Sequence, residues 1–297
     1  MAPRMKLLVP TGIVVIRTTG YDWLQVGYAP LRKVVVAPNG DIFVGSTGQF
    51  PASTPSGLEA DVIVGKVFAD GSLDRLERSN VAGIDDQLVG LALTSDGKVL
   101  VAGGTASGAG QDMVVQRYNP NLSLDATFDG DGSKVFDGGG LFGDVLTAVA
   151  ELPDGKILAM GDRYEQGDTG AVFVRLEATG ALDTSFGQNG FAAVDLPEQG
   201  WVQFMAFELD SSNRIVATGR GNTGFGEYSD VLLARLLPDG TPDTSFGNNG
   251  MVLTSVGEEV DIGLDLILEP DGRIVVAGHR TAGNGTYQDA VMLRHHG

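Results

Sequence analysis

The side chains best suited to recognising a ligand are aromatic and cationic residues in the variable segments between apolar runs. Exposed rings stack on sugars, peptides or flat organic molecules, and neighbouring polar groups orient them. The competing interpretation is that several of these rings turn inward and fill gaps in the core. The candidate ligand-binding residues are Trp23, Trp201, Tyr164, Phe225, Tyr287, Arg163, Arg220, Arg280 and His279.

Carboxylates form a second candidate set, because they recur at fixed positions. Asp86, Asp144 and Asp261 each stand eleven residues before a recurrent turn residue. Converging oxygen atoms bind Ca²⁺ or Mg²⁺, so these three are the candidate metal ligands. The favoured alternative is that a repeated Asp at the start of a strand accepts hydrogen bonds from loop amides. Another set stands five residues before a recurrent basic residue and consists of Asp61, Asp112, Asp230 and Asp289.

His279 is the candidate general base of an enzyme, with Asp261 or Asp289 to orient it. No G-x-S-x-G nucleophile motif occurs in the chain, and a solvated loop histidine explains His279 equally simply. Residues 219–224 match G-x-G-x-x-G, but the sequence after them favours neither a helix nor a βαβ unit. No nucleotide cofactor is therefore expected.

The positions of all these residues are defined by a sequence motif that recurs five times along the chain. The turn residues of this motif are 57 to 59 residues apart, and they are Gly40, Gly97, Gly155, Asn213 and Gly272. A turn such as Asp-Gly between apolar runs is a strong hairpin signal, because its residues tolerate positive φ. A fixed period of this length indicates one supersecondary unit copied around a ring or along a solenoid.

Each unit is predicted to contain four strands, A to D, from its alternating apolar residues and its turns. Strand C always ends in a basic residue, for which a structural contact is predicted: Lys66, Arg117, Arg175, Arg235 and Arg294. A second turn places a phenylalanine, predicted to be core, at Phe128, Phe186 and Phe246. The first unit lacks this second turn and is expected to be irregular.

The ends of the chain are permuted relative to the repeat. The fifth unit stops after strand C, and residues 12–16 match residues 250–254, where strand D of the fourth unit is expected. We therefore predict an all-β, five-bladed β-propeller with four antiparallel strands per blade, closed by pairing of the N-terminal strand with the C-terminal blade. The single domain 1–297 would contain units at approximately 24–83, 84–136, 137–194, 195–254, and 255–297 plus 12–16.

The phrases PDGKILAMG, LDTSFGQNG and LARLLPDG resemble the bacterial delta-sixty repeat family. The resemblance extends from about Gly12 to Arg294 and implies a β-propeller. It implies little about function, because such repeats occur in bacterial surface and secreted proteins of mostly unassigned role. No catalytic residues are carried over with it.

The connections between strands B and C and between strands D and A are the longer and more variable ones. They are predicted to lie on one face, which is where binding loops on a rigid scaffold are found. The B-to-C loops are predicted at about 46–60, 104–111, 162–169, 220–229 and 279–288. The D-to-A loops are predicted at about 17–30, 79–86, 137–144, 195–203 and 255–262.

Charge and composition narrow the range of partners. The chain has 38 acidic and 20 basic side chains and a formal net charge of −18, so neither nucleic acid nor insertion into a membrane is expected. The absence of cysteine excludes disulfides and thiolate metal sites. Residues 1–20 make a poor secretory signal, because Pro10, Thr11 and Gly12 interrupt their apolar run. We expect a soluble bacterial monomer, either cytoplasmic or exported.

The sequence as a whole predicts a binding module for a small organic, carbohydrate or peptide ligand at the loop face. The first alternative is a hydrolase or a lyase/cyclase with its active site at the mouth of the central channel. The second is a protein-interaction scaffold that uses the rim as a docking surface. Composition and repeats do not decide whether the protein is an enzyme.

Overall fold

The computed structural model describes residues 31–51, 58–81, 85–107, 110–136, 143–165, 168–196, 200–223, 228–257, 259–282 and 287–297. Within these ranges the chain forms nineteen β-strands and no helix. The first sheet contains β1 (Leu31–Val36), β2 (Ile42–Pro51), β3 (Leu58–Val67) and β4 (Leu73–Ser79). The second contains β5 (Asp86–Leu93), β6 (Val99–Ser107), β7 (Gly110–Tyr118) and β8 (Ser133–Phe136).

The remaining strands form three further sheets. The third sheet contains β9 (Val145–Glu151), β10 (Ile157–Glu165), β11 (Asp168–Leu176) and β12 (Phe191–Val194). The fourth contains β13 (Trp201–Leu209), β14 (Ile215–Asn222), β15 (Asp230–Leu236) and β16 (Met251–Thr254). The fifth has three described strands, β17 (Asp261–Leu268), β18 (Ile274–Ala282) and β19 (Tyr287–His295).

The strands of each sheet are antiparallel and follow one another in chain order. Each sheet packs against the next one along the chain: β3 contacts β5, β6 contacts β9, β11 contacts β13, and β14 contacts β17. The prediction of an all-β fold is confirmed, and five successive sheets are consistent with a β-propeller. Residues 12–16, predicted to be the fourth strand of the last sheet, lie outside the described residues.

The recurrent turn residue has a left-handed backbone in all five sheets. The four glycines at this position have φ between 81° and 87°, and Asn213, which replaces glycine in the fourth sheet, has φ of 58°. Asparagine is the residue next most willing to adopt this conformation after glycine. The turn therefore keeps its geometry despite the substitution.

The hairpins that join strands B and C are longer than predicted, and the predicted loop boundaries there are wrong. Arg163 and Tyr164 lie within β10, Arg220 within β14, and His279 and Arg280 within β18, so none of them is in a loop. The alternating apolar signal stops where the core stops. Backbone hydrogen bonds continue beyond that point, because pairing between strands needs no apolar side chain.

The basic residue at the end of strand C makes the predicted structural contact. The Arg175 Nε donates to the Asp183 Oδ2 at 2.6 Å, and the guanidinium carbon lies 4.5 Å from the centre of the Phe186 ring. The Arg175 Nη1 also donates to the carbonyl of Pro238 in the next sheet. We call this combination of Arg, Asp and Phe the latch, because it ties a strand to its own turn and to its neighbour.

The latch recurs with small variations. In the second sheet Arg117 pairs with Asp125 at 2.7 Å and donates to the carbonyl of Ala178 in the third sheet. In the fourth sheet Arg235 pairs with Asp243 at 2.8 Å. The first sheet has an ion pair of Lys66 with Asp41 at 3.1 Å, and the Lys66 ammonium also lies 5.3 Å from the centre of the Phe68 ring. In the fifth sheet Arg294 pairs with Glu269 at 3.2 Å. The predicted contact is confirmed in all five sheets.

The latch phenylalanines are core residues, as predicted. Phe128, Phe186 and Phe246 are almost completely buried. Phe186 packs against Gly240 in the turn of the next sheet, where a Cβ would lie 2.8 Å from the ring, so glycine is needed for the close approach. The first sheet lacks this turn, as expected, since β4 begins at Leu73, six residues after β3 ends.

We expect Phe186→Ala to lower the free energy of unfolding by roughly 3–5 kcal/mol, because it removes a fully buried ring and leaves a cavity between two sheets. Phe68→Ala is the matched control, because Phe68 is 39% exposed. Urea denaturation of both variants measures the two losses. Equal losses would contradict the assignment of Phe186 to the core.

Candidate functional site

Neighbouring sheets meet where strand A of one sheet lies beside the start of strand C of the preceding sheet. At two of these junctions a backbone hydrogen bond connects the two strands, from Asp144 N to Gln111 O at 3.0 Å and from Asp261 N to Ser229 O at 2.7 Å. At a third junction the amide of Ala60 donates to the Asp85 Oδ1 at 2.8 Å. The two recurrent aspartate positions of the sequence therefore meet across the junctions. The facing pairs are Asp61 with Asp86, Asp112 with Asp144, and Asp230 with Asp261.

The junction between the third and fourth sheets departs from this pattern. Gly170 stands at the strand C position and Val202 at the strand A position, so both aspartates are replaced together. A Cβ at residue 170 would clash with the carboxylate of Asp195, which lies 3.6 Å from the Arg163 Nη2. The glycine therefore makes room for an ion pair within the third sheet, between Arg163 on β10 and Asp195 directly after β12.

A polar and aromatic set occupies this junction, and we call it the Trp201 cluster: Asp162, Trp201, Gln203 and Arg220. The Gln203 Nε2 donates to the Asp162 Oδ2 at 2.9 Å, and the Arg220 Nε donates to the Gln203 Oε1 at 3.0 Å. The guanidinium carbon of Arg220 lies 5.3 Å from the centre of the Trp201 ring, within range of a cation–π contact. One glutamine amide thus links a carboxylate of one sheet to a guanidinium of the next.

Strand register explains why these side chains meet. Trp201 and Gln203 are two residues apart on β13 and share one face of the sheet. Gln203 pairs directly with Arg220 on β14, which makes Arg220 the diagonal neighbour of Trp201. Asp162 comes from β10 in the third sheet, whose strands pack against β13. The cluster therefore exists only because two sheets pack together.

Asp162 is the most perturbed group of the cluster. It is 2% exposed, and burial raises the pKa of its carboxyl to about 6, although the hydrogen bond from Gln203 and the charge of Arg220 favour ionisation. Its Oδ1 accepts no hydrogen bond from any group in the described part of the chain. A buried polar atom without a partner is costly, and one oxygen each of Asp61, Asp86 and Asp261 is in the same state.

The arrangement combines a stacking surface with fixed hydrogen-bonding groups. Trp201, Gln203 and Arg220 are partly exposed, so a small molecule can reach them. Trp201 offers a flat apolar face, Arg220 offers donors, and Asp162 offers an acceptor that becomes a donor when protonated. Because the side chains already hold one another in place, little conformational entropy is lost on binding.

The other predicted residues are distributed as follows. Arg163 lies next to Asp162 on β10 and contacts Asp195, at the edge of the cluster. Tyr164 pairs with Thr169 in the β10–β11 hairpin, and nothing further is described of its side chain. Trp23 and Phe225 lie outside the described residues.

The three predicted residues of the fifth sheet do not join the cluster. Tyr287 begins β19 and is 68% exposed. His279 lies on β18 between Ile262 and Ala290 of the flanking strands. Arg280 pairs with Asp289 at 3.0 Å. The structure thus brings together Trp201 and Arg220 from the predicted set, with Arg163 beside them.

The candidate metal ligands are spread over different junctions. The Asp86 Oδ2 accepts from the amide of Val81 at 2.6 Å, and the Asp261 Oδ2 accepts from Val256 at 2.6 Å and Gly257 at 2.9 Å. In the described part of the chain no three His, Asp or Glu side chains lie close enough together to hold a metal ion. For Asp86 and Asp261 the observed contacts are those of the alternative hypothesis, in which they bind loop amides.

Sequence reasoning missed Asp162, Gln203 and Asp195. Asp162 stands seven residues after its turn residue, at a position that differs in all five units: Thr47, Gly104, Asp162, Arg220 and His279. A second signal was the simultaneous loss of both recurrent aspartates at Gly170 and Val202. These two positions are far apart in a unit, and only the packing of sheets shows that the equivalent positions lie close together at other junctions.

Comparisons with known proteins agree with the fold. The family described as "Domain of unknown function (DUF5122) beta-propeller" matches residues 94–128, 152–186, 211–246 and 269–294, just under half of the chain. This match supports a β-propeller family. The search of curated proteins found no match to the chain. Among the described residues no helix has the length and apolar character needed to cross a membrane.

Several solved structures are similar to this chain. An endo-arabinase from Bacteroides thetaiotaomicron is 10% identical over 91% of this chain and 94% of its own, with a TM-score of 0.45. A mannose phosphorylase from Leishmania mexicana is 13% identical over 89% and 83%, with a TM-score of 0.44. An aldose sugar dehydrogenase from Streptomyces coelicolor is 14% identical over 91% and 83%, with a TM-score of 0.45. Similarity this low carries no argument about activity.

We expect Asp162→Asn to remove a pH-dependent penalty on folding. The folded-state pKa of about 6 lies above the ordinary value of 3.8, so the charged carboxyl opposes folding at pH 7, and this penalty disappears as the pH falls from 6 to below 4. The stability difference between the variant and the wild type should shift in favour of the variant by up to roughly 3 kcal/mol between pH 4 and pH 7.

Urea denaturation of both proteins at the two pH values measures this shift. Asp131→Asn, which changes an exposed turn carboxylate, is the control and should show little shift. An Asp162→Asn difference that does not depend on pH would contradict the buried, unpaired state of this carboxyl.

Proposed function

We propose that this chain is a β-propeller that binds a small hydroxylated molecule of carbohydrate type at the Trp201 cluster. The observation that carries the proposal is the change at one junction. There the two recurrent aspartates are absent, and an indole, a guanidinium, an amide and a buried carboxyl come together instead. Departures from a repeat that converge at one place favour a function over a structural task.

The chemistry of the cluster suits a sugar better than an apolar ligand. A pyranose ring has an apolar face that stacks on an indole and hydroxyls that both donate and accept hydrogen bonds. Gln203 and Arg220 provide donors next to Trp201, and the Asp162 Oδ1 provides a buried acceptor. An apolar molecule would leave these polar groups without partners, at a cost of about 1–3 kcal/mol each.

One observation favours an enzymatic form of the same proposal. A carboxyl with a pKa of about 6 is suited to general acid catalysis near neutral pH. Hydrolysis of a glycosidic bond uses two carboxyl groups on opposite sides of that bond. Asp195 is the other carboxylate next to the cluster, and it is held near Arg163. Binding is therefore the primary proposal, and turnover is measured beside it.

The test is a panel of neutral monosaccharides and oligosaccharides, with peptides as comparison, screened by saturation-transfer NMR and titrated by calorimetry. Trp201→Ala should weaken a sugar hit at least about 10-fold, because a stacking contact is lost. Gln203→Ala should also weaken it. Gln87→Ala is the matched control, because Gln87 occupies on β5 the position that Gln203 occupies on β13.

The result that supports the proposal is a sugar whose binding is weakened by the two cluster variants and unchanged by Gln87→Ala. Hydrolysis or elimination of that sugar, lost in Asp162→Asn, would establish the enzymatic form. Binding of peptides alone, or hits that all survive Trp201→Ala and Gln203→Ala, would overturn the proposal.

We further propose that residues 12–16, which match residues 250–254 of the fourth unit, complete the fifth sheet and close the ring. In the described part of the chain β19 has no partner on its outer side, and Met292 on it is 77% exposed. On the first sheet Val34 is 64% exposed. The matching third strand of the fourth sheet, β15, is buried almost throughout. A closing strand would pair with the free edge of β19, and packing of the completed fifth sheet against the first would cover these apolar surfaces.

The fourth sheet supplies the expected register. Leu233 pairs with Val252 there, and the repeat makes Met292 and Val14 their counterparts. Since the chain has no cysteine, Val14→Cys combined with Met292→Cys creates a single possible disulfide, which should form within the monomer. The control pair, Ile13→Cys with Met292→Cys, should not react, because adjacent residues on a strand point to opposite faces.

Gel mobility without reductant and mass spectrometry of peptides distinguish the outcomes. An intramolecular bond in the first pair alone supports closure. A disulfide-linked dimer would mean that a second copy supplies the strand. Equal reactivity of both pairs, or of neither, would contradict this register.

A further inference from the structure

Arg220 differs from the other cationic side chains of the protein. Fifteen Lys and Arg residues lie between positions 66 and 294, and all are described. Fourteen of them have a described carboxylate within 4.0 Å. Arg220 is the exception: its contacts within the described chain are the amide of Gln203 and the ring of Trp201.

The guanidinium of Arg220 is held in place while its terminal nitrogens are left available. The Nε donates to Gln203, and the plane lies over Trp201, so the side chain has few conformations to lose. Nη1 and Nη2 donate to no group in the described part of the protein. An arginine fork in this state is prepared for a planar group with two acceptor atoms.

The acidic composition of the chain makes it unusual that Arg220 has no carboxylate partner among the described residues. In a chain of net charge −18 an arginine has many carboxylates available as partners. All the other Lys and Arg side chains between positions 66 and 294 lie within 4.0 Å of a carboxylate. The charge of Arg220 partly offsets the rise in the pKa of Asp162 that burial causes, so the two groups lie near each other. The Asp162 Oδ2 nevertheless accepts its hydrogen bond from Gln203. The Arg220 fork is thus kept apart from the nearest acid by the glutamine amide between them.

We infer that the ligand of the Trp201 cluster is a sugar acid, whose carboxylate binds the Arg220 fork while its ring stacks on Trp201. This inference rests on the proposed function and names the ligand class. A carboxylate matches one planar fork and carries one charge. A phosphate monoester would bring more charge towards Asp162, and the described part of the site offers it no second unpaired cation.

The experiment compares acidic sugars with their neutral twins on the full chain at pH 7. The probes are D-glucuronate with D-glucose, D-galacturonate with D-galactose, and each neutral hit from the panel with its own uronate. Calorimetry should show the acidic member of at least one pair binding 10-fold or more tightly than its twin, as roughly expected for a charge-assisted hydrogen bond.

Variants assign this preference to Arg220. Arg220→Gln should abolish it by weakening the acidic member alone, and Arg220→Lys should retain only part, since an ammonium keeps the charge and loses the fork. Arg273→Gln is the matched control: it removes the same charge from a side chain already paired with Asp271 at 2.7 Å, and the preference should remain. Near-ultraviolet circular dichroism confirms that each variant is folded.

The outcomes separate this inference from the proposed function. If neutral and acidic twins bind equally and both depend on Trp201, the sugar site stands and the acidic ligand is wrong. If a sugar phosphate binds more tightly than the uronate through Arg220, the carboxylate assignment is wrong. If no sugar of either kind binds, the proposed function itself fails.

Discussion

The latch between strand C, its own turn and the next sheet is the interaction on which the rest of the structure depends. Each Arg of the latch neutralises a buried Asp, covers a buried Phe and, in the second and third sheets, donates to a carbonyl of the following sheet. Burial opposes ionisation of Asp183, but hydrogen bonds from Lys156, Ser185 and Arg175 outweigh it and keep the pKa of this carboxyl below its usual range. Isolated sheets could not satisfy these groups, so sheet formation and sheet packing are coupled.

A rigid scaffold of this kind allows one junction to differ without loss of the fold. The third and fourth sheets are joined by the latch at one end and share a large apolar cluster. At the opposite end of the same strands, Gly170 and Val202 replace the aspartates found at three other junctions. The Trp201 cluster lies at the same junction, with Trp201 and Gln203 on either side of Val202 along β13. The latch and the Trp201 cluster are thus located at opposite ends of the same strands.

The cluster itself is polar in a way that an apolar core would not tolerate without a reason. Asp162 is buried with one oxygen unpaired, and Arg220 keeps its fork free in a strongly acidic protein. The unpaired oxygen of Asp162 costs stability, because it is buried, whereas the guanidinium of Arg220 is partly exposed. They belong to one connected set through Gln203, which makes a shared ligand the simplest explanation for both.

Local patterns in the sequence were sufficient for the existence and order of the described strands and for the left-handed turns, including Asn213. They were also sufficient for the structural role of the basic residues and phenylalanines. Each of these features depends on a few neighbouring residues that recur in three to five units. Trp201 and Arg220 could also be singled out, since they depart from the repeat. The sequence alone could not identify Asp162 or Gln203 as their partners. The contact between Asp162 and Gln203 joins different sheets, and only the tertiary packing of β10 against β13 brings these two residues within hydrogen-bonding distance.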